Sequence, residues 1–257
     1  MKAATYVKEA PIAVITFNRP EVLNAYNFDL MNDLITAFES ARQDPEVRVI
    51  VWKGNGRAWS AGADIKLIAQ MRDTGGLKTF RDFMMLEEES TRVIMKLRKP
   101  IIAAIHGYAV GGGCEYAMLA DIRIATEGAQ FGFPETSMGG VITHASTKIL
   151  SQLVGLSKAK ELVLTGEMID AYEAERIGLV NKVVRQEELD KVVIGMAEKI
   201  ADSPSLAQCE MKYAIDHGFE WDYESALKYE SIVGLLAMAC GDMTKGYSGW
   251  AKGKERQ

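Results

Sequence analysis

An α/β chain that ends in helices is the fold class the sequence predicts, and three observations predict it. Strand, helix and strand alternate within residues 12–53. Short apolar runs of strand length recur as far as residue 184. Beyond that point the apolar spacing is helical throughout.

The elements follow in order. Residues 12–17, IAVITF, are β-branched and apolar and read as a strand. A polar loop carrying Pro20 leads to residues 28–43, where apolar side chains spaced three and four apart predict an amphipathic helix capped by Asn27. Residues 47–53 are a second strand, and the glycines at 54, 56 and 62 then break regular structure before a helix expected from Asp64. The stretch 70–79 reads as a loop or interrupted helix. Residues 80–98 form a long helix that ends before Pro100, and IIAAI at 101–105 is a short buried strand. A glycine-packed turn follows, with a helix from about Gly111. Strands are expected at 121–126, 130–133 and 179–184, and helices at 145–154, 157–164, 171–177, 187–202, 204–217 and 222–240. The chain is divided into a core at 1–195 and a helical C-terminal region at 196–257.

Composition narrows the function. Of the 257 residues, 48% are hydrophobic and 25% charged, an ordinary globular balance. A formal charge of −5 argues against nucleic-acid binding. Three scattered cysteines suggest neither a disulfide framework nor a zinc site, and no histidine has metal-ligand spacing to another. With no leader pattern and no apolar run of roughly 18–20 residues, a cytoplasmic protein that does not enter membranes is expected.

The chemistry-bearing stretch is 104–136, AIHGYAVGGGCEYAMLADIRIATEGAQFGFPET. Gly111, Gly112 and Gly113 open a helix whose first amides lack intrahelical partners; they either hold an oxyanion or simply let helix and strand pack closely. SAGAD at 60–64 is a second small-residue turn after a strand, and two such turns together would supply one N–H each to the same oxygen. Glu115 lies among apolar and small neighbours, and Glu135 follows Pro134. Two acids in apolar surroundings suit general acid–base work, with a structural carboxylate pair as the alternative.

Taken together these segments resemble the enoyl-CoA hydratase/isomerase (crotonase) superfamily over nearly the whole chain. The anchors are NRPEVLNA at 18–25, AWSAGADIK at 58–66, KPIIAAIHGYAVGGGCEYAMLADIRIA at 99–125, AQFGFPETSMG at 129–139 and LVGLSKAKELVLTGEMIDAYEAERIGLVNKVV at 153–184. The resemblance implies a right-handed spiral of β-β-α turns with a helical C-terminal region, assembled as a homotrimer or a dimer of trimers. It implies an enoyl-CoA hydratase that needs no metal or redox cofactor, coenzyme A being part of the substrate. Ala63 and Gly112 would give the two amides that hold the thioester carbonyl, and Glu115 and Glu135 would be the two acids that orient the added water. Leu23, Ala25, Ala61, Asp64 and Ile65 would surround the coenzyme, with Arg57 and Lys66 placed for its phosphates.

Two departures stand out. Where hydratases commonly carry a glycine-rich run after the second acid, this chain has Thr143 and His144 in ITHASTK, which should reshape the acyl pocket. The family's aromatic-x-x-Lys near the C-terminus becomes Trp250–Ala251–Lys252, the lysine displaced by one, as the contact to a neighbouring subunit's coenzyme. An isomerase, an acyl-CoA hydrolase and a non-catalytic thioester binder are the rival functions.

Overall fold

The computed structural model describes residues 2–71, 73, 76–244 and 247. Its centre is a six-stranded sheet in the order β1 (Ala4–Glu9), β2 (Ile12–Phe17), β3 (Val49–Gly54), β4 (Ile101–Ile105), β6 (Ile122–Thr126) and β9 (Lys182–Val184). β1 pairs antiparallel with β2, and each later pairing is parallel. A smaller sheet joins β5 (Tyr108–Val110), β7 (Gln130–Gly132) and β8 (Ile169–Asp170). Thus β4 runs into β5 and β6 into β7, each turn of chain placing one strand in each sheet. This is the spiral of β-β-α turns that the sequence led us to expect. β1, β5 and β8 escaped the sequence reading. β5 and β8 have three and two residues, too few to show an alternation, and ATYVKE in β1 is half polar.

Both faces of the parallel sheet are covered, so its strands are largely apolar. Ile50 and Trp52 face the main core with α1 (Phe28–Gln43), whose buried stripe is Leu30, Met31, Leu34, Ala37, Phe38 and Ala41. Val49 and Val51 point the other way, against α8 (Leu189–Ala201). Asn27 caps α1 as expected, its side chain accepting from Leu30 N–H at 2.9 Å. The boundary expected between residues 195 and 196 falls inside α8, and the whole helix packs on the sheet through Leu189, Val193, Ala197 and Ala201.

The remaining helices are α2 (Ile65–Gln70), α3 (Gly76–Met95), α4 (Gly112–Met118), α5 (Ser146–Val154), α6 (Leu156–Thr165), α7 (Ala171–Arg176), α9 (Ser205–Gly218) and α10 (Tyr223–Ala239). The last two hold the body by polar links, such as Arg98 to Glu210 at 2.6 Å and Arg98 over the Tyr213 ring at 4.1 Å. Their apolar side chains are largely uncovered: Val233 and Ala237 are buried in α10, whereas Leu227, Ile232, Leu235 and Leu236 are exposed. No helix among the described residues is long and apolar enough to cross a membrane.

Candidate functional site

The candidate coenzyme, amide and acid residues between positions 23 and 135 lie beyond the carboxyl ends of the parallel strands, where open α/β sheets leave their crevices. Leu23 and Ala25 follow β2, residues 57–66 follow β3, Gly112 and Glu115 lie on α4 after β4 and β5, and Glu135 lies in the 3-10 turn after β6 and β7. Hydrogen bonds knit these loops into one block. Ser60 N–H donates to Tyr108 C=O at 2.9 Å and Val110 N–H to Ser60 C=O at 3.1 Å. The fully buried Asn24 amide donates to Asn55 C=O and Ala58 C=O, both at 2.8 Å. Ala61 N–H donates to Leu23 C=O at 2.9 Å.

The two small-residue turns meet. A Cβ placed on Gly62 would lie 2.8 Å from Val110 O and 3.2 Å from Gly112 N, so the chain segments touch there. Tyr26 N–H donates to Gly62 C=O at 2.8 Å and Asp64 N–H to Tyr26 C=O at 3.0 Å. In that parallel bridge Ala63 is the opposed residue, so its own N–H and C=O face away from Tyr26. Gly112 opens α4, and its N–H has no intrahelical acceptor. The pair of amides that the resemblance implies is thus brought together at one junction.

The acids converge on the same junction from α4 and from the 3-10 turn Pro134–Met138. Glu115 is in the first turn of α4, buried, and its Oε2 accepts the backbone N–H of Thr143. Glu135 follows Pro134 at the start of its turn. Its Oε1 would lie 2.4 Å from a Cβ on Gly111, and that residue's φ of +56° favours glycine there. Its Oε2 is buried without a hydrogen-bond partner. Burial foremost, with the charges of Glu115 and Glu87 adding to it, pushes the Glu135 carboxyl up to about 7.

The expected coenzyme residues form a rim. Ile65, Lys66 and Arg57 are exposed, and Leu23, Ala61 and Asp64 are half-buried. Asp64 is engaged as the cap of α2 and as partner of Arg19 at 3.2 Å, and Arg19 also donates to Ala25 C=O. Its side chain therefore shapes the rim rather than offering a free carboxylate. Trp250 and Lys252 lie outside the described residues.

Thr143 and His144 are not simple wall residues of an apolar pocket. They line a cavity of about 410 Å³ together with Met84, Glu87 and Met95 of α3. Here sits a residue that sequence reasoning missed. Glu87 is 3% exposed, and its Oε1 accepts from Tyr26 Oη at 2.5 Å and from Thr143 Oγ1 at 3.0 Å. The signal existed in the sequence: Phe83, Glu87, Ser90, Thr91 and Ile94 share one helical face, so EEES places an acid on the buried side of α3. Tyr26 was missed too. A Cβ on Gly112 would lie 2.2 Å from Tyr26 Oη, so this phenol packs directly on the helix opening.

Comparison with known proteins gives the family and the fold. The family model described as enoyl-CoA hydratase/isomerase matches residues 7–252. A short-chain-enoyl-CoA hydratase of Clostridium acetobutylicum is 41% identical over 225 residues, 87% of this chain and 85% of its own length. A crotonyl-CoA hydratase of Syntrophomonas wolfei is 39% identical over 240 residues, 93% of this chain and 91% of its own. The crystal structure of an enoyl-CoA hydratase from Bacillus anthracis superposes with a TM-score of 0.92 at 30% identity, covering 97% of this chain and 96% of that one. With two glycine turns meeting, two acids converging on them and a family match spanning nearly every residue, the chain belongs to the enoyl-CoA hydratase/isomerase family.

Proposed function

We propose that the protein is an enoyl-CoA hydratase that adds water across the double bond of a short trans-2-enoyl-CoA thioester. The observation that carries this reading is the convergence of Glu115 and Glu135 on the junction of the Ala63 and Gly112 turns. The relatives' printed activities support it.

In this reading Ala63 N–H and Gly112 N–H hold the thioester oxygen and stabilise the negative charge that gathers on it as water adds. Glu115, already accepting an N–H bond, acts as the carboxylate that takes a proton from water while the water oxygen bonds the β carbon. Glu135, protonated below about pH 7 because of its burial, delivers a proton to the α carbon. The turn leaves the proton on Glu115 and the charge on Glu135, and exchange with solvent resets them. The coenzyme runs along Leu23, Ala25, Ala61, Asp64 and Ile65, with Arg57 and Lys66 at its phosphates and Trp250 and Lys252 approaching from a neighbouring subunit. No metal or redox cofactor takes part.

The exposed apolar face of α9 and α10 supports self-association, for which the family resemblance implies a homotrimer or a dimer of trimers. The absence of a membrane-length helix among the described residues is compatible with a cytoplasmic setting.

The test is loss of enoyl-thioester absorbance with crotonyl-CoA. Turnover should fall about a hundredfold to ten-thousandfold in Glu115→Gln and in Glu135→Gln. No turnover on any short enoyl-CoA sinks the reading. Double-bond migration without water uptake makes the protein an isomerase, and release of free thiol makes it a hydrolase.

A further inference from the structure

Behind Glu115 stands a hydrogen-bonded wall that the hydration scheme does not use. Three side chains build it. The Tyr26 phenol rests on Gly112 and donates to Glu87 Oε1 at 2.5 Å. The Thr143 hydroxyl donates to the same oxygen at 3.0 Å, while the Thr143 N–H serves Glu115 Oε2. A hydrogen on His144 Nδ1, 2.8 Å from the Thr143 hydroxyl, completes the pattern: the hydroxyl accepts from the ring and keeps its own proton for Glu87. Burial foremost, and then the charge of Glu87, hold the Tyr26 phenol well above its ordinary range, so it remains the donor. Tyr26 and Thr143 thus touch the reaction centre on one side and Glu87 on the other.

Beyond the wall lies open space. Glu87, Thr143 and His144 also line the cavity of about 410 Å³, whose other walls include Met84, Thr91 and Met95. Ala63, Gly112, Glu115 and Glu135 do not border it. Its volume falls within the roughly 300–1,000 Å³ of small-molecule pockets, and methionine side chains adapt readily to an alkyl chain. Exposed Glu88 and Arg92, paired with each other, border it too, so it opens toward solvent. In the hydration scheme Glu115 acts on the water that attacks the β carbon, so the acyl chain beyond that carbon leaves from beside Glu115 and meets Thr143. To reach the cavity it must part Thr143 and Tyr26 from Glu87, which is 3% exposed. That would strand two buried donors and a buried carboxylate without partners, which is costly.

We propose that Tyr26, Glu87 and Thr143 form a gate that sets acyl-chain length. Closed by its hydrogen bonds, it confines the site to short acyl groups, and the cavity behind it is the extension that a longer chain takes when the gate is removed. The inference rests on the hydratase reading, which places the acyl group beside Glu115.

The test compares kcat/KM for crotonyl-CoA and for trans-2-decenoyl-CoA. The wild type should favour crotonyl-CoA, and equal rates on both overturn the proposal. In Glu87→Ala the decenoyl-to-crotonyl ratio should rise about tenfold to two-hundredfold, the scale that one methylene contact carries in an apolar pocket. Thr143→Gly, which keeps the N–H for Glu115, should raise the ratio in the same direction, and it decides should Glu87→Ala not fold. A merely structural role would lower both rates by one factor, so an unchanged ratio in either folded variant overturns the proposal. Glu87→Gln keeps an oxygen for both hydroxyls and should hold the wild-type ratio; a rise as large as that of Glu87→Ala overturns the hydrogen-bonded gate. Calorimetric binding of butyryl-CoA and decanoyl-CoA, saturated and therefore inert to hydration, separates the two readings. Wild-type protein without turnover on any enoyl-CoA defeats the hydratase reading. The ratio of the two Kd values in wild type and Glu87→Ala then decides the gate alone, a shift toward decanoyl-CoA supporting it and an unchanged ratio overturning it.

Discussion

Single atoms limit what the reaction centre tolerates. Gly112 has no room for a methyl group, because a Cβ there would meet Tyr26 Oη at 2.2 Å and Tyr26 Cε1 at 2.6 Å. Gly112→Ala should therefore displace Tyr26 or α4 and lower kcat about a hundredfold or more, the scale of losing one oxyanion donor; steady-state kinetics on crotonyl-CoA checks this. Glu135 makes a prediction with a definite sign. Its carboxyl is raised to about 7, so the form that donates a proton is present below that value and is lost as pH rises through it. The rate should fall on the alkaline side of about pH 7, and Glu135→Gln should abolish that limb. The two acids and the two small-residue turns stand out in the sequence because GGGCE, FPET and SAGAD are local motifs, whereas the roles of the Ala63 and Gly112 amides come only from the family resemblance. Glu87 was half legible: its helical face is written in FMMLEEESTRVI, but its bond to Tyr26 joins residues 61 positions apart, which no local pattern records.

Among the elements, the helices were legible where an apolar stripe repeats and a cap is nearby, and the very short strands were not. α1 shows the former. Asn27→Ala removes an acceptor for Leu30 N–H and should cost about 0.5–2 kcal/mol, measured as a lower midpoint in urea unfolding with an unchanged slope. Two-residue β8 shows the latter: it exists because β7 offers an edge, with Gln130 opposite Asp170 and Phe131 opposite Ile169. Pairing of that kind belongs to the tertiary structure and leaves little trace in local spacing. α10 instructs differently. Its apolar residues were correctly read as a helix, yet Leu227, Ile232, Leu235 and Leu236 face away from the chain's own core. Periodicity reveals that a face is apolar, not what covers it.

For the molecule as a whole, that uncovered face carries the prediction. Leu235 is 72% exposed, so replacing it by Asp should leave the spiral body folded while preventing association. Light scattering coupled to size exclusion should show a trimer or hexamer for the wild type and a smaller species for Leu235→Asp, with unchanged circular dichroism. If Trp250 and Lys252 reach a neighbour's coenzyme, the same variant should raise KM for crotonyl-CoA. A wild type that runs as a monomer would remove the assembly from the account and leave the glutamates untouched.

The bridge between Tyr26 and Ala63 has a mechanical consequence. The backbone of Tyr26 orients the Ala63 amide, while its phenol rests on Gly112 and is tethered to α3 through Glu87. One residue thereby sets the spacing of two donors that come from separate turns of the spiral. On the proposed hydratase reading the gap between them is a fixed gauge, against which a thioester oxygen would meet the same two hydrogens at every turnover.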